Sequence, residues 1–507
     1  MTLIYSLAAI FLLSLCCIYC VKNIAYSKNY INNQQNDRWN EASVALYGGV
    51  GFIPIFLIFS FILLWFQLEG DYNSIYLIDK DNETTILFGI LIGAFLMFLV
   101  GIIDDAKGLG AKNKLFFQSV AASIFLIFTD VIFINNHPLL NIIVTYFWFI
   151  GIINAVNLLD NMDGLASGVV IISLIAAIYF IINSSLGFEG LSWKIILLLI
   201  SALAAFWCFN FPPATIFMGD SGSLPLGFLL ASFIAPTSLN EYFLPINTNS
   251  YPLYIGIIIS FSIAIVPIFD TAFVTITRLW DDRQISQGGK DHTSHRLVTL
   301  GLHERKVVIF FYLLALIGFG GALLLIKYPG FWLPLLIVQL LLMTLLGIYI
   351  GRIKISPETI QSNNVFPFNN QLAEVLMDIG LITLCLYAAF LIRFGAVLSE
   401  SLVIILNSIL PIIIGSSLVS FMFFGVYKKK WVEINLKDIT TFAKASIAAV
   451  ILSIALVALF LQYPDGNSRS VYLIFGLLLL VISFTSRFSF NILERAINKF
   501  LKNKLKH

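Results

Sequence analysis

Phe209 to Ser223 reads Phe-Asn-Phe-Pro-Pro-Ala-Thr-Ile-Phe-Met-Gly-Asp-Ser-Gly-Ser, and its one carboxylate, Asp220, is flanked by Gly219, Ser221, Gly222 and Ser223. A carboxylate among such small neighbours can hold a hard cation and still leave a phosphate room to approach. Taken alone, the tetrapeptide could equally be a tight turn, with Pro-Pro as a helix stop and Gly-Asp-Ser-Gly as an N-cap. Other polar clusters weigh against that. Asp104 and Asp105 close an apolar run and are followed by Lys107, Lys112 and Lys114. Paired carboxylates beside positive potential suit a metal-phosphate, whereas an ordinary helix stop with snorkelling charges would set Asp against the helix dipole. Further on come Asn154, Asn157, Asp160, Asn161 and Asp163-Gly164. If the preceding helix continues through them, Asn157, Asp160 and Asp163 share one face. Interhelical hydrogen bonding would also use such residues, but two unpaired carboxylates are costly for that purpose. The last cluster is Asp270 with Arg278, then Gln287-Gly-Gly-Lys290-Asp291-His292-Thr-Ser-His295-Arg296-Leu. His292 and His295 lack a cysteine or third histidine nearby, and Lys290 and Arg296 would repel a metal, so anion binding is the better assignment. For Arg283, Arg305 and Lys306 a merely basic loop is the alternative. A weaker cluster, Asp37-Arg38-Trp39-Asn40 ahead of Gly48-Gly49, reads as a solvated loop with an interfacial Trp.

The elements that must position these residues are membrane helices. The chain is 59% hydrophobic and 11% charged over 507 residues, and apolar runs of about 20 residues recur from end to end. The expected fold class is therefore an all-α polytopic membrane protein. About eleven spans are expected near 2–21, 46–66, 86–103, 115–134, 139–157, 166–184, 192–210, 219–236, 253–276, 306–326 and 331–350. A polar linker, 352–371, leads to four more near 372–393, 402–424, 440–462 and 470–491, with a basic tail. This gives a domain over 1–351 and a four-helix membrane block over 372–507. Alternate connections carry the Lys and Arg residues, which places the N-terminus outside and every polar cluster on the cytoplasmic side. The first run has neither a cationic leader nor a small-residue cleavage site, so it reads as a retained helix. Cys16, Cys17, Cys20, Cys208 and Cys385 lie in or beside apolar runs and imply neither a disulfide framework nor a zinc site. A net charge of +2 says little about partners, and nothing points to nucleic acid. A transporter or lipid flippase would place its polar residues near the midplane on broken helices related by a repeat. Here they lie at helix ends, and no repeat is evident.

Together, Asp104-Asp105, the Asn157 to Gly164 stretch, Asn210 through Met218-Gly219-Asp220-Ser221-Gly222-Ser223, and the His292 and His295 loop resemble the polyprenyl-phosphate N-acetylhexosamine-1-phosphate transferases. This glycosyltransferase superfamily includes the bacterial enzymes that start O-antigen, enterobacterial common antigen and teichoic acid synthesis, and the phospho-MurNAc-pentapeptide translocase. The resemblance spans roughly residues 1–350. It places the metal-binding Asp at Asp220, the paired aspartates at Asp104 and Asp105, and the Asn-x-x-Asp-x-x-Asp-Gly motif on Asn157, Asp160, Asp163 and Gly164. The chain departs from many members in two places. His292-Thr-Ser-His295-Arg296 replaces a run of adjacent histidines, and Arg38-Trp39-Asn40 lacks an early histidine. The first departure and the extra C-terminal block argue against the pentapeptide translocase.

The resemblance implies that a polyprenyl (undecaprenyl) phosphate attacks the β-phosphorus of a UDP-N-acetylhexosamine, giving a lipid pyrophosphoryl sugar and UMP. Repulsion between two anions is then the main obstacle, to be met by Mg²⁺ (Mn²⁺ as the alternative ion) and fixed cations. Asp220 is the first choice of metal ligand, with Asn157 or Asp160 assisting. Asp104, Asp105, Asp160 and Asp163 form the expected catalytic set. Asp104 and Asp105 would orient the lipid phosphate or accept its proton, and direct attack is favoured over a covalent aspartyl intermediate. Lys107, Lys114, His292, His295 and Arg296 would neutralise the diphosphate, and Asn210 is expected at the substrate. Phe217 either stacks on uracil or is a buried aromatic. The implied setting is the bacterial inner membrane with a cytoplasmic active site, initiating cell-surface polysaccharide, with homodimerisation one option. The C-terminal block, through Asp378, Arg393 and Gly425-Val-Tyr427, is similar to the four-helix module of membrane nucleotide-sugar 4,6-dehydratases. No Rossmann fingerprint follows it, so the expectation is docking of a nucleotide-sugar-modifying enzyme or oligomer support, against a passive appendage.

Overall fold

Apolar runs in hydrocarbon can satisfy their backbone groups only internally, and helices result. The computed structural model describes residues 2–32, 44–68, 83–129, 138–183, 187–235, 253–280, 283, 289, 291–327, 332–351, 370–395, 398–428, 434–461 and 468–504. The Asp37 to Asn40 cluster, Lys290 and most of the expected linker lie outside the described residues. The helices fall into two compact units. The first contains α1 (Thr2–Ser27), α2 (Gly48–Leu68), α3 (Glu83–Lys107), α4 (Ala111–Phe128), α5 (Pro138–Leu159) and α6 (Leu165–Ile182). It continues with α7 (Ser192–Asn210), α8 (Asp220–Phe233), α9 (Leu253–Ile263), α10 (Ile265–Trp280), α11 (Thr293–Thr299) and α12 (Glu304–Lys327).

At the centre of this unit is a helix too short to cross a membrane. α8 has 14 residues, about 21 Å of rise, which is short of a hydrocarbon core of roughly 30 Å. All of its residues from Ser221 to Phe233 are buried. Helices α3 and α5 pack closely along it, with α2 and α6 also in contact. A helix that is apolar all round belongs inside a bundle, and α8 exposes no broad face to lipid. The approach of α3 requires a missing side chain at Gly101, where an added Cβ would lie 2.2 Å from the Asp220 carbonyl oxygen.

Among the described residues, eleven helices at the expected spans are long and apolar enough to cross a membrane, and the α9–α10 pair makes a twelfth if its two halves form one span. Three expected spans fall outside that set: α4 carries Lys112 and Lys114 in its first turn, α8 is too short, and the helix at the expected 331–350 span contributes only the shorter apolar stretch Leu333–Thr344. Between α9 and α10 the axis bends by 76°. The cause is Pro267, which has no N–H to give the Ile263 carbonyl four residues earlier. Ser173 of α6 supplies the replacement, its Oγ donating to Ile263 O at 2.9 Å. Irregular backbone at this depth is thus satisfied by protein. The helices are supplemented by one small ribbon, β1 (Ile31–Asn32) antiparallel to β2 (Val44–Ala45), and Ala45 also bridges Ile216 in parallel.

The second unit contains α13 (Trp332–Gly351), α14 (Asn370–Phe394), α15 (Glu400–Phe423), α16 (Ile439–Leu461) and α17 (Arg469–Lys504). The sequence reading ends the first domain at 351, whereas α13 packs against α14 and belongs with the second unit. Gly380 of α14 gives Leu341 of α13 the room for this contact. The core of the unit encloses an ion pair between Asp378 and Arg487, both fully buried, with Nη2 2.6 Å from Oδ2. The Arg487 guanidinium also lies over the Phe442 ring at 5.4 Å and donates to Ser483 O at 3.2 Å. Removing one partner of such a pair strands a charge in an apolar core. Arg487→Met should lower stability by about 3–5 kcal/mol, and Asp378→Leu combined with it should restore most of the loss. Thermal unfolding of the purified full chain reads both.

Candidate active site

Helix α8 begins without a cap of its own. Gly219 turns the chain with φ +71°, Asp220 is the first helical residue, and no side chain at the Gly219 N-cap position bonds the first turn. The first amides are satisfied from another helix. Asp105, near the C-terminal end of α3, accepts from Asp220 N at 2.8 Å through Oδ1 and from Ser221 N at 2.9 Å through Oδ2. A carboxylate at a helix N-terminus meets both the unpaired donors and the positive end of the dipole. The strand before α8 is held by the segment before α2. Phe217 N donates to Ala45 O at 2.9 Å, Gly48 N to Phe217 O at 2.8 Å and Gly49 N to Met218 O at 2.9 Å.

Asp220 so held faces three polar groups. Lys114 Nζ, from the first turn of α4, is 2.6 Å from Asp220 Oδ2 and 2.6 Å from Asp104 Oδ2. Asn157 Nδ2, from the last turn of α5, donates to Asp220 Oδ1 at 2.9 Å and to Ser223 Oγ at 2.8 Å. The second oxygen of Asp104 accepts from Leu109 N at 2.5 Å, which fixes its direction. Two carboxylates from different helices therefore converge on one cationic point, occupied by the Lys114 ammonium. Among the described residues no group of three His, Cys, Asp or Glu gathers, so an all-protein metal cage is not built. Two carboxylates completed by phosphate oxygens and water are nevertheless the donor set that Mg²⁺ takes, and the residues fit that ion.

The neighbouring expectations divide. Helix α5 ends at Leu159, and Asp160 to Asp163 form a turn closed by Gly164 at φ +72°. Asp160 and Asp163 thus leave the helical face that the spacing predicts they share with Asn157. Both are buried. Asp163 Oδ2 accepts from Ala214 N at 2.8 Å, pinning the segment before the Met218-Gly219-Asp220 motif. Asn210, expected at the substrate, is also a brace: Oδ1 accepts from Gly164 N at 2.9 Å and Nδ2 donates to Ile216 O at 3.0 Å. Phe217 takes the buried alternative and packs with Val44, Ala214 and Leu46. Lys107, the last residue of α3, is exposed.

The histidine loop is tied to the same turn, since Ser294 Oγ donates to Asn161 Oδ1 at 2.6 Å. His292 Nδ1 pairs with Asp270 Oδ2 at 2.8 Å, and Asp270 Oδ1 accepts from Thr293 N at 3.0 Å and from Thr293 Oγ1. His295 and Arg296 are buried on α11, with Arg296 Nε donating to Asp291 O at 3.0 Å and its guanidinium 5.2 Å from the Phe273 ring centre. Two of the loop cations have a structural partner. Asp291 receives a bidentate fork from Arg278, Nε at 2.9 Å and Nη2 at 2.8 Å, and Arg283 approaches at 3.2 Å. Sequence reading singles out Asp270 and His292 but not their pairing, and it treats Ser223 only as a small neighbour of Asp220, not as a partner of Asn157.

Burial works against the Asp291 carboxylate, but the Arg278 fork and charge, with His292 and Arg283 adding, hold it at about 2. A carboxyl depressed on folding contributes stability above its unfolded value near 4 and loses it as pH falls toward the folded value. The melting-temperature gap between the parent chain and Asp291→Asn should therefore be widest near neutral pH and shrink below about pH 4. A pH series of thermal unfolding curves measures it.

Residues 87–237 match the model of glycosyl transferase family 4. The chain is 34% identical over 272 residues to a protein of Bacillus subtilis named probable undecaprenyl-phosphate N-acetylglucosaminyl 1-phosphate transferase, covering 51% of this chain and 71% of the relative. It is 36% identical over 230 residues to the phospho-N-acetylmuramoyl-pentapeptide-transferase of Streptococcus gordonii, covering 41% and 65%. A decaprenyl-phosphate N-acetylglucosaminephosphotransferase of Mycolicibacterium smegmatis is 30% identical over 264 residues, covering 48% and 64%. The matched segment of the family model contains Asp104, Asp105, Lys114, Asn157 and Asp220, the residues that meet at the start of α8. The chain belongs to glycosyl transferase family 4, the polyprenyl-phosphate N-acetylhexosamine-1-phosphate transferases.

Proposed function

We propose that the chain transfers an N-acetylhexosamine-1-phosphate from a UDP-sugar to polyprenyl phosphate on the cytoplasmic face of a bacterial inner membrane, with Mg²⁺ as the resident ion. The observation that carries this reading is the convergence of Asp104 and Asp220 on one cationic point. A site that joins two anions needs fixed charge where they meet more than it needs a strong base. The names of the relatives in Bacillus and Mycolicibacterium make N-acetylglucosamine the first sugar to test.

In the reaction, an oxygen of the lipid phosphate bonds to the β-phosphorus of the donor. The bond from that phosphorus to the bridging oxygen breaks, and UMP leaves with the electron pair. A phosphate monoester is largely dianionic near neutral pH, so the attack needs no protein base. Asp220 and Asp104 would hold Mg²⁺, which when bound neutralises phosphate charge and polarises the phosphorus. Asn157 fixes the Asp220 carboxylate through Oδ1, and Lys114 brings a positive charge to the same two carboxylates, where the phosphates would meet. The first two amides of α8 are occupied by Asp105, so anion binding falls to side-chain cations rather than to the helix end. His292 contributes from the Asp270 pair, which orients its ring. Direct attack is the reading favoured here, because both Asp105 oxygens already serve backbone donors.

A transporter is the rival class, and it makes no UMP. Purified chain in lipid should release UMP from UDP-N-acetylglucosamine only when polyprenyl phosphate is added, and chelation of divalent ions should stop it. Asp220→Asn should lower the rate by at least about a hundredfold, the scale of losing one preorganised electrostatic contact. Polyprenyl-phosphate-independent release, or an unchanged rate in that variant, would overturn the reading.

A further inference from the structure

Tyr47 stands out among the described residues because it is one of two non-glycine residues with positive φ, at +69°, and the other is an asparagine. Asparagine tolerates this region through its short polar side chain, whereas a bulky aromatic there is strained, at a cost of order 1 kcal/mol or more, and needs support from its surroundings. That support is present on both sides of it. The next two residues, Gly48 and Gly49, give their amides to Phe217 O and Met218 O, and Ala45 accepts from Phe217 N. The strap from Ala45 to Gly49 is thus bonded along the strand that leads into Asp220.

The strained conformation has a visible result. It carries the half-buried Tyr47 phenol to the end of α3, where its OH donates to the Asp105 carbonyl oxygen at 3.1 Å. The Tyr30 ring supports it edge-on, with ring centroids 5.7 Å apart. Asp105 is therefore held at two points: Tyr47 holds its carbonyl, and its carboxylate holds the first amides of α8. Its carboxylate also lies against the Gly219 turn, where an added Cβ would meet Oδ2 at 2.7 Å. Any shift of the α3 end would move the start of α8, and the Asp220 carboxylate with it.

We propose that Tyr47 and Asp105 are positioning residues that together set the place of Asp220, Tyr47 acting through Asp105 and neither touching the reacting atoms. The proposal rests on the transfer function proposed above. It assigns Asp105 to support and leaves Asp104 and Asp220 as the carboxylates at the reacting phosphates. Backbone strain is stored where the surrounding bonds can hold it, beside the group whose position matters.

The test uses the full chain in lipid nanodiscs, with Tyr47→Phe, Asp105→Ala and the double variant. Amide hydrogen exchange over residues 216–224 is measured without substrate, alongside kcat, donor KM and melting temperature. Tyr47→Phe should retain its melting temperature, exchange faster at Asp220 and Ser221, and lose about three- to tenfold in kcat, the loss of one hydrogen bond, with donor KM within about twofold. The double variant should be no worse than Asp105→Ala alone, since both act along one path. Parent-like exchange and kcat in Tyr47→Phe, or a loss in the double variant equal to the product of the single losses, would overturn the proposal. If Asp105→Ala does not fold, exchange and kcat in Tyr47→Phe decide. A parent chain that releases no UMP would count against the transfer function instead, and the exchange result would still report on the contact.

Discussion

A helix that starts inside a bundle has several backbone N–H groups with no partner in its own chain segment, and in a membrane protein water is scarce to serve them. This constraint governs the first unit. α8 begins at Asp220, is buried along nearly its whole length and has no capping side chain at its own N-terminus. Asp105 meets the need from α3, and once it does, the end of α3 and the start of α8 are fixed to each other through two bonds of 2.8 and 2.9 Å. Gly101 then permits the close approach of the two backbones, and the strap from Ala45 to Gly49 closes the third side.

Electrostatics follow from this arrangement. With α3 and α8 joined, Asp104 and Asp220 are brought to one point, a placement that like charges resist. Lys114 relieves the repulsion by bonding both, and Asn157 takes the remaining Asp220 oxygen. The structure therefore holds two carboxylates together with one ammonium and one amide as their counterweights. Around the histidines the organisation differs, since Arg278, Arg283 and Arg296 are tied to Asp291 and His292 to Asp270. Tethering of Ser294 to Asn161 attaches the histidine loop to the turn following Asn157.

The second unit meets the cost of burying charge by pairing. Asp378 and Arg487 are remote in sequence and fully buried, and together they place one ion pair among the aromatic and aliphatic side chains of the unit. Such pairs add little net stability but penalise any packing that separates them, which favours one register of α14 against α17. The Phe442 ring beneath the guanidinium adds a contact that an ammonium would make less well.

The sequence alone determined the class of the molecule and its family resemblance, and it marked the polar clusters from which a site could be built. Long apolar runs have one solution in hydrocarbon, and carboxylates at their ends are too costly to be incidental, so the membrane helices and the polar clusters were both legible. Asp104, Asn157 and Asp220 stood out by residue type and local spacing, and the fold brings them together around Lys114. Tertiary structure decided which of the other polar residues meet Asp220 and which bond the backbone around it. Asp105 and Asp104 are adjacent and alike in sequence, yet one caps α8 and the other joins Lys114 and Asp220, because successive helical side chains point about 100° apart. Asp163, expected in the catalytic set, and Asn210, expected at the substrate, bond backbone groups instead: Asp163 lies in the turn that follows Leu159 and accepts from Ala214 N, and Asn210 at the end of α7 bonds Gly164 N and Ile216 O. Tyr47 carries no local signal, because its role depends on a backbone conformation imposed by a strand about 170 residues further along the chain. Patterns within a helix report which residues can do chemistry; contacts between distant segments decide which of them are held where chemistry can occur.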